Sequence, residues 1–273
     1  STPIKSSAAS DVYKRQEMKN IKKFFSRNIF PVFIKILPIQ KNLIVFSSFG
    51  GRNYSGNPRV ISEKIHEKKL NYRIIWLIKK EAIITDLPDY IKRIDSDSFL
   101  AAFYLYTAKY WIDDSRKTIK YAKRKKQFYF QTWHGTPLKK IEFDAKDKLP
   151  KRYLSYAKKD SESITYLLSG NRYSSEKYVS AFNIVPSKIL EVGTPRNDEL
   201  ASSKEQVFDL KKKQINVLFA PTFRNNIEDN GITQLEWLGV DNLREFFKKQ
   251  QQELNLMTKF HPNVHSKLAT CLL

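Results

Sequence analysis

A chain of 273 residues, 41% hydrophobic and 13% aromatic, has the composition of a globular protein with one large domain or two ordinary ones, which excludes a disordered or fibrous polypeptide. A single cysteine, Cys271, excludes an internal disulfide framework and a multi-cysteine zinc site, and fits a reducing compartment. The formal charge of +21 calls for an anionic partner and is unevenly placed: residues 1–17 carry +1, residues 18–198 carry +19 and residues 199–273 carry +1.

Anionic lipid, a polyanionic polymer and nucleic acid all fit that sign, and charge does not choose among them. Residues 1–17, "STPIKSSAASDVYKRQE", have no apolar periodicity and precede a start-like Met18, so they are read as a non-native or disordered leader. In "MKNIKKFFSRNIFPVFIKILPIQ", Pro31, Lys35 and Pro38 interrupt any stretch long enough to span a bilayer. Two readings stay open for this segment: a basic amphipathic piece lying in a membrane interface, or a terminal helix packed on its own domain.

From Asn42 onward, short apolar runs alternate with helix-like stretches. Residues 42–47 ("NLIVFS") predict a buried strand, and residues 57–69 a helix capped by Asn57 with Pro58 at its first position. Further strands are predicted at 72–78, 110–114, 127–132 and 164–169, and a helix at 172–182. A second series predicts a strand over 215–223, a helix over 241–254 and a strand over 255–262. Alternation of this kind gives a parallel sheet covered by helices. The expected class is α/β, with two Rossmann-like domains joined near Asp198 and the second one incomplete, because the chain stops where further strand–helix repeats are expected.

Ligand sites in such sheets lie at the carboxyl ends of strands. Two of the four histidines, His134 in "TWHGTP" and His261 in "KFHP", fall just there. An imidazole at a strand end facing a cleft can take a proton from a hydroxyl or steady a phosphate; it can equally be a loop residue bonded to its own backbone. Beside His134, Gly135 allows close backbone approach and Thr136 offers a hydroxyl. "APTFRNN" places Thr222 and Arg224 after another strand, and "GTPRNDEL" places Arg196, Asn197 and Asp198 at the domain junction. Arginine suits phosphate because its planar fork binds two oxygens. Their plainer readings are a solvated loop and a hinge turn with Asn and Asp capping a helix.

Other signals are weaker. The glycine-rich "SSFGGRNYSGNPR" can hold a phosphate at a helix N-terminus, although it matches no nucleotide fingerprint. "YAKRKKQFYF" has basic and aromatic residues, yet reads best as an exposed turn before a buried strand. Asp113 and Asp114 lack the further carboxylates of a metal site, and His66 and His265 read as surface residues.

Several of these pieces occur together. "VFSSFGGRNYSGNPRVI", "TWHGTPLKKI", "SGNRYSSEKYVSAF", "ILEVGTPRND", "VLFAPTFR" and "KFHP", in this order over residues 41–264, resemble the CDP-glycerol glycerophosphotransferases of Gram-positive wall teichoic acid synthesis. The resemblance implies a GT-B transferase, peripheral on the cytoplasmic face of the membrane, that moves glycerol phosphate from CDP-glycerol to an undecaprenyl-linked acceptor and releases CMP. It implies no cofactor, no catalytic metal and no nucleic-acid partner, while an anionic membrane surface is expected. By the same resemblance His134 is the candidate base for the acceptor hydroxyl and His261 a ligand of the donor diphosphate. Arg224 and the group Arg196, Asn197 and Asp198 would line or brace the substrate cleft, and Gly135, Thr136 and Thr222, singled out above by their place after strands, are taken as substrate-binding residues beside them.

Residues 18–198 are expected to form the acceptor and membrane side, and residues 199–273 part of the nucleotide-donor domain. The sequence departs from the family pattern in three places. Glu142 stands where the family has glycine after "KKI", Phe223 replaces a usual tryptophan, and a later Asp-Tyr-Ser-Ser loop is absent, which reads as truncation. Two alternatives stand beside this: a CDP-ribitol or capsular polyol-phosphate transferase, and a non-catalytic basic module binding membrane or nucleic acid.

Overall fold

The computed structural model describes residues 36–117, 123–202, 214–221 and 232–259, and the chain divides into two compact units, Ser1–Ser202 and Ser203–Leu273. The leader at 1–17, most of the basic segment after it, Thr222, Arg224 and His261 lie outside the described residues.

In the first unit seven strands form one parallel sheet. They are β1 (Gln40–Ser47), β2 (Arg73–Ile78), β3 (Lys92–Asp95), β4 (Ala108–Asp113), β5 (Phe128–Gln131), β6 (Tyr166–Ser169) and β7 (Ile189–Glu191). Their order is β3-β2-β1-β4-β5-β6-β7, so the chain moves outward from β1 in one direction, then returns to β4 and moves outward in the other. The crossover helices are α1 (Gly56–Glu67), α2 (Phe99–Thr107), α3 (Lys151–Ser163) and α4 (Arg172–Ala181), and a short α5 (Asp198–Ser202) follows β7.

Both faces of the sheet are covered, and for that reason the central strands are continuous apolar runs rather than alternating ones. Leu43, Val45, Ile75, Leu77, Trp111, Tyr129 and Leu167 pack on one face with Tyr104 and Leu105 of α2 and with Tyr178 and Ala181 of α4. Their strand neighbours Ile44, Phe46, Ile74, Trp76, Ile78 and Ile112 pack on the other face with Ile61 and Ile65 of α1.

Some elements differ from the sequence expectation. Asn57 is not the cap of α1: Ser55 holds that position and Gly56 opens the helix, while the Asn57 amide is turned inward. The helix also ends at Glu67, where Lys69 takes a left-handed φ of 52°. β3, α2, α3 and β7 have no counterpart in the sequence reading. α2 is apolar all round and, past its exposed opening residues Phe99 and Leu100, mostly buried, so it lacks an amphipathic stripe, and it runs directly into β4. α3 buries only Ala157, Asp160 and Ser161, and β3 ("KRID") opens on two exposed cations. In neither does the apolar pattern reveal the element.

The second unit contains β8 (Gln214–Phe219) and β9 (Glu253–Thr258), paired in parallel from Gln214↔Glu253 to Phe219↔Thr258. Between them lie α6 (Ile232–Leu238) and α7 (Val240–Lys249). The helix expected to reach residue 254 stops at Lys249, and Gln251 turns the chain at φ 56° so that Glu253 and Leu254 open β9. Among the described residues no helix is long and apolar enough to cross a membrane.

A buried ionic cluster ties the loop after β4 to α3. Arg116 donates to Glu142 Oε2 from Nε (3.1 Å) and Nη2 (3.0 Å). Its Nη1 donates to Asp160 Oδ2 (3.1 Å) and Ser161 Oγ (2.8 Å). The Tyr153 hydroxyl donates to Glu142 Oε1 at 2.5 Å, and the guanidinium lies 4.4 Å from the centre of the Phe182 ring. Burial pushes the Asp160 carboxyl up to about 6, with the Arg116 charge pulling the other way. Glu142 has φ 52°, a left-handed conformation that suits the family's glycine, and the glutamate is held there by its ion pair. We expect Glu142→Gly to relieve about 1 kcal/mol of backbone strain yet to destabilise the fold by about 2 kcal/mol net, because it strands part of a buried charge. Urea denaturation measures this, and an unchanged or raised stability would contradict it.

Candidate functional site

The reversal of strand order places the carboxyl ends of β1 and β4 side by side, and an α/β sheet opens a crevice at such a switch point. Three loops meet there: residues 48–55 after β1, 114–117 after β4 and 132–137 after β5. The loop after β1 is not a free phosphate cradle. The Phe49 N–H donates to Asp114 Oδ1 (2.7 Å) and the Gly50 N–H to Ser115 Oγ (2.9 Å), so two of its donors are committed to the neighbouring loop. Gly56, at φ 68°, closes the turn; a β-carbon there would stand 3.2 Å from Asp114 Oδ2.

His134 sits at the mouth of this crevice with its ring exposed. Nδ1 is 2.8 Å from the Asp114 carbonyl oxygen. A carbonyl only accepts, so Nδ1 carries the proton in the neutral ring and Nε2 keeps its lone pair. The ring stacks on Trp133 at 4.2 Å between centroids and stands 5.9 Å from Phe49. Trp133 itself is buried at φ 48°. It is held there by donation of its N–H to Gln131 Oε1 (2.9 Å) and by an edge contact with Phe182 at 4.8 Å. Strain of this kind persists only where surroundings enforce it.

The residues after His134 are braced by α4. The Tyr178 hydroxyl donates to Gly135 O (3.0 Å), and burial pushes that phenol up to about 12, so it stays a donor. The Ser174 and Thr136 hydroxyls are 3.4 Å apart. Arg196 reaches the same place from the turn after β7: its Nη2 lies 3.7 Å from where a β-carbon on Gly135 would stand. Asn57 binds the pieces together by donating to Trp133 O (3.1 Å) and Thr132 O (3.3 Å) while accepting from the Arg196 N–H (3.2 Å).

Of the residues singled out by sequence, then, His134, Gly135, Thr136 and Arg196 come together. Asn197 is exposed at the end of the Pro195–Asn197 turn, and Asp198 opens α5 and lines a separate groove of about 580 Å³ against α1. Asp113 is engaged by Lys117 Nζ at 2.6 Å and by the Ser115 N–H, a structural pairing. Among the described residues no group of three or more His, Cys, Asp and Glu side chains is placed to hold a metal ion. His66 is exposed, as the sequence reading had it, and its ring stacks on Tyr90 at 3.7 Å. Sequence reasoning missed Asn57, Asp114 and Tyr178. The one available signal for Asp114 was its place at a strand end, the same kind of place that singled out His134.

Asp114 Oδ2 is buried without a partner. Burial first, and then the charge of Asp113, push its carboxyl from 3.8 up to about 6. A carboxyl raised on folding binds its proton more tightly in the fold, so its stabilising effect is full below about pH 4 and is lost as pH rises through about 6. Asp114→Asn keeps the acceptor for Phe49 and removes the buried charge. We expect it to raise stability by about 1–2 kcal/mol at pH 8 and by nothing measurable near pH 4. Thermal melts at the two pH values check the sign, and an equal change at both would refute the assignment.

The family model described as CDP-Glycerol:Poly(glycerophosphate) glycerophosphotransferase matches residues 29–271. A teichoic acid poly(glycerol phosphate) polymerase of Bacillus spizizenii is 37% identical over 212 residues, covering 71% of this chain and 52% of the relative. A teichoic acid glycerol-phosphate transferase of Staphylococcus aureus is 35% identical over 226 residues, covering 76% and 57%. This chain thus spans about half the length of these two curated relatives. A solved structure of the wall teichoic acid polymerase TagF, a histidine-to-asparagine variant soaked with CDPG, superposes with a TM-score of 0.74 at 28% identity, covering 93% of this chain and 65% of that one. The large parallel sheet is therefore the α/β fold of that polymerase, and the chain belongs to the CDP-Glycerol:Poly(glycerophosphate) glycerophosphotransferase family.

Proposed function

We propose that this chain carries the acceptor side, and part of the donor side, of a two-domain GT-B transferase that moves glycerol phosphate from CDP-glycerol to an undecaprenyl-linked acceptor. Residues 18–198 form the acceptor domain and residues 199–273 part of the donor domain. The observation that carries the reading is the bond from His134 Nδ1 to the Asp114 carbonyl at the switch point, which leaves Nε2 as a free base. In the step, Nε2 takes the proton of the acceptor hydroxyl while its oxygen attacks the phosphorus that bears the glycerol. A new P–O ester bond forms, the anhydride P–O bond breaks, and CMP leaves with the bonding pair. Arg196 offsets charge on the phosphoryl oxygens, and Gly135 and Thr136 shape the approach.

By the motif resemblance, His261 is a ligand of the donor diphosphate, Arg224, Asn197 and Asp198 line or brace the substrate cleft, and Thr222 is a further substrate-binding candidate. The step needs no metal or cofactor. The +19 of residues 18–198 suits a peripheral position on the anionic cytoplasmic face of the membrane. To test this, CMP release from CDP-glycerol is measured with the full-length protein and a lipid-linked acceptor analogue. We expect His134→Ala to lower the rate by at least about 100-fold with an unchanged melting temperature; release that persists undiminished would sink the reading. CDP-ribitol run in competition identifies the polyol.

A further inference from the structure

The strand-end loop does not finish at the catalytic histidine. Running on from Thr136, it forms one wall of a second cavity, of about 320 Å³, whose other wall is the exposed face of α4. Lys139 and Lys140 enter it from the loop and Lys177 from the helix, with Asp144 as the one carboxylate in the lining. Asp144 is already occupied, accepting the Ser180 hydroxyl at 3.0 Å. Among the described residues none of the three ammonium groups has a carboxylate partner; Lys177 instead lies 5.5 Å from the centre of the Tyr173 ring. Three cations against one engaged carboxylate leave the cavity electropositive.

Its apolar side is equally marked. Leu138 stands 87% exposed at the rim, and Tyr173, half-exposed, donates its hydroxyl to Pro137 O at 3.5 Å. A compact anion such as free phosphate has no use for that apolar wall, whereas a chain that alternates phosphates with short carbon segments uses both. Lysine suits such a ligand: its ammonium is a point charge on a flexible stem and can follow a phosphate that rotates, where the fork of arginine demands fixed geometry.

We infer that this cavity is a phosphodiester-binding subsite that holds the already built, anionic part of the acceptor while its terminal hydroxyl reaches His134. The inference rests on the transfer reading above. Lys139 follows His134 by five positions, at most about 18 Å of extended chain, so the cavity lies within a few polyol-phosphate repeats of the base. The same chemistry would also take an anionic lipid headgroup.

The test uses the full-length protein and the triple variant Lys139→Gln, Lys140→Gln and Lys177→Gln, with the matching triple Arg variant as a charge-preserving control. All three lysines are exposed, and thermal melts verify folding. Equilibrium binding of a synthetic oligo(glycerol phosphate) is measured first, without donor. We expect its dissociation constant to rise at least tenfold in the Gln variant, with a shallower salt dependence, and to recover in the Arg variant. Turnover is measured next, with acceptors that carry or lack phosphodiester units. The KM should rise at least tenfold for the first kind alone, with kcat little changed.

Unchanged oligomer binding in the Gln variant overturns the subsite, as does an equal rise in KM for both acceptors. An effect seen only on vesicles containing anionic lipid, and absent in neutral detergent, assigns the phosphodiester to a lipid headgroup and overturns the acceptor assignment. Tighter binding of single-stranded RNA with the same number of phosphates overturns the polyol chain as ligand. Loss of oligomer binding in a protein whose wild type releases no CMP supports the subsite while refuting the transfer reading, so the two fail separately.

Discussion

A single hydrogen bond, from His134 Nδ1 to the carbonyl of Asp114, joins the loops after two adjacent strands, and the geometry of the candidate site depends on it. It selects the tautomer in which Nε2 is the free nitrogen, and it aims the ring across the switch point. Much of the surrounding structure holds the two ends of that bond. On the β4 side, Arg116 anchors the loop to Glu142 and Asp160, and Asp114 reaches back to the backbone of Phe49. On the β5 side, Asn57 spans Thr132, Trp133 and Arg196, and Tyr178 supports Gly135.

These supports are buried polar groups, and the low dielectric around them raises both their value and their cost. Asp114 shows the cost, with one carboxylate oxygen unpartnered and its acidity weakened by burial. Replacing such a network by apolar side chains would often leave a fold as stable or more so. What apolar side chains cannot supply is direction. The carbonyl of Asp114 points at the imidazole because the side chains at 114 and 116 are tied down on either side of it.

The distribution of what the sequence disclosed follows from the same physics. Strands buried on both faces announce themselves as short apolar runs, and "NLIVFS", "RIIWLI" and "FYFQ" were legible for that reason. α2 was not, since a helix apolar all round has no stripe, and neither was α3, which buries only three small or polar residues. His134 was legible as a strand-end imidazole, but that placement alone also fitted a bystander in a turn, and it was the accompanying motifs that singled it out. Asn57 was visible only as a local cap, and a cap reading uses neighbours two or three residues away. Its real partners, Thr132, Trp133 and Arg196, are 75 to 139 residues distant, and no local pattern encodes them.

Glu142 joins these threads. Seen as sequence it is a departure from a family glycine; in the structure it occupies a left-handed backbone position, and so does Trp133 nine residues earlier. The segment that carries His134, Gly135, Thr136, Lys139 and Lys140 is therefore bounded at both ends by residues in a conformation that costs each of them about 1–3 kcal/mol. At the first end the strain is offset by the burial of an indole against Phe182, and at the second by an ion pair to Arg116. A segment pinned in this way has few alternative paths. His134 and the lysines beyond it are thus parts of one braced element, and a perturbation at Glu142 is transmitted to both through the backbone they share and through Arg116 to the carbonyl that orients the imidazole.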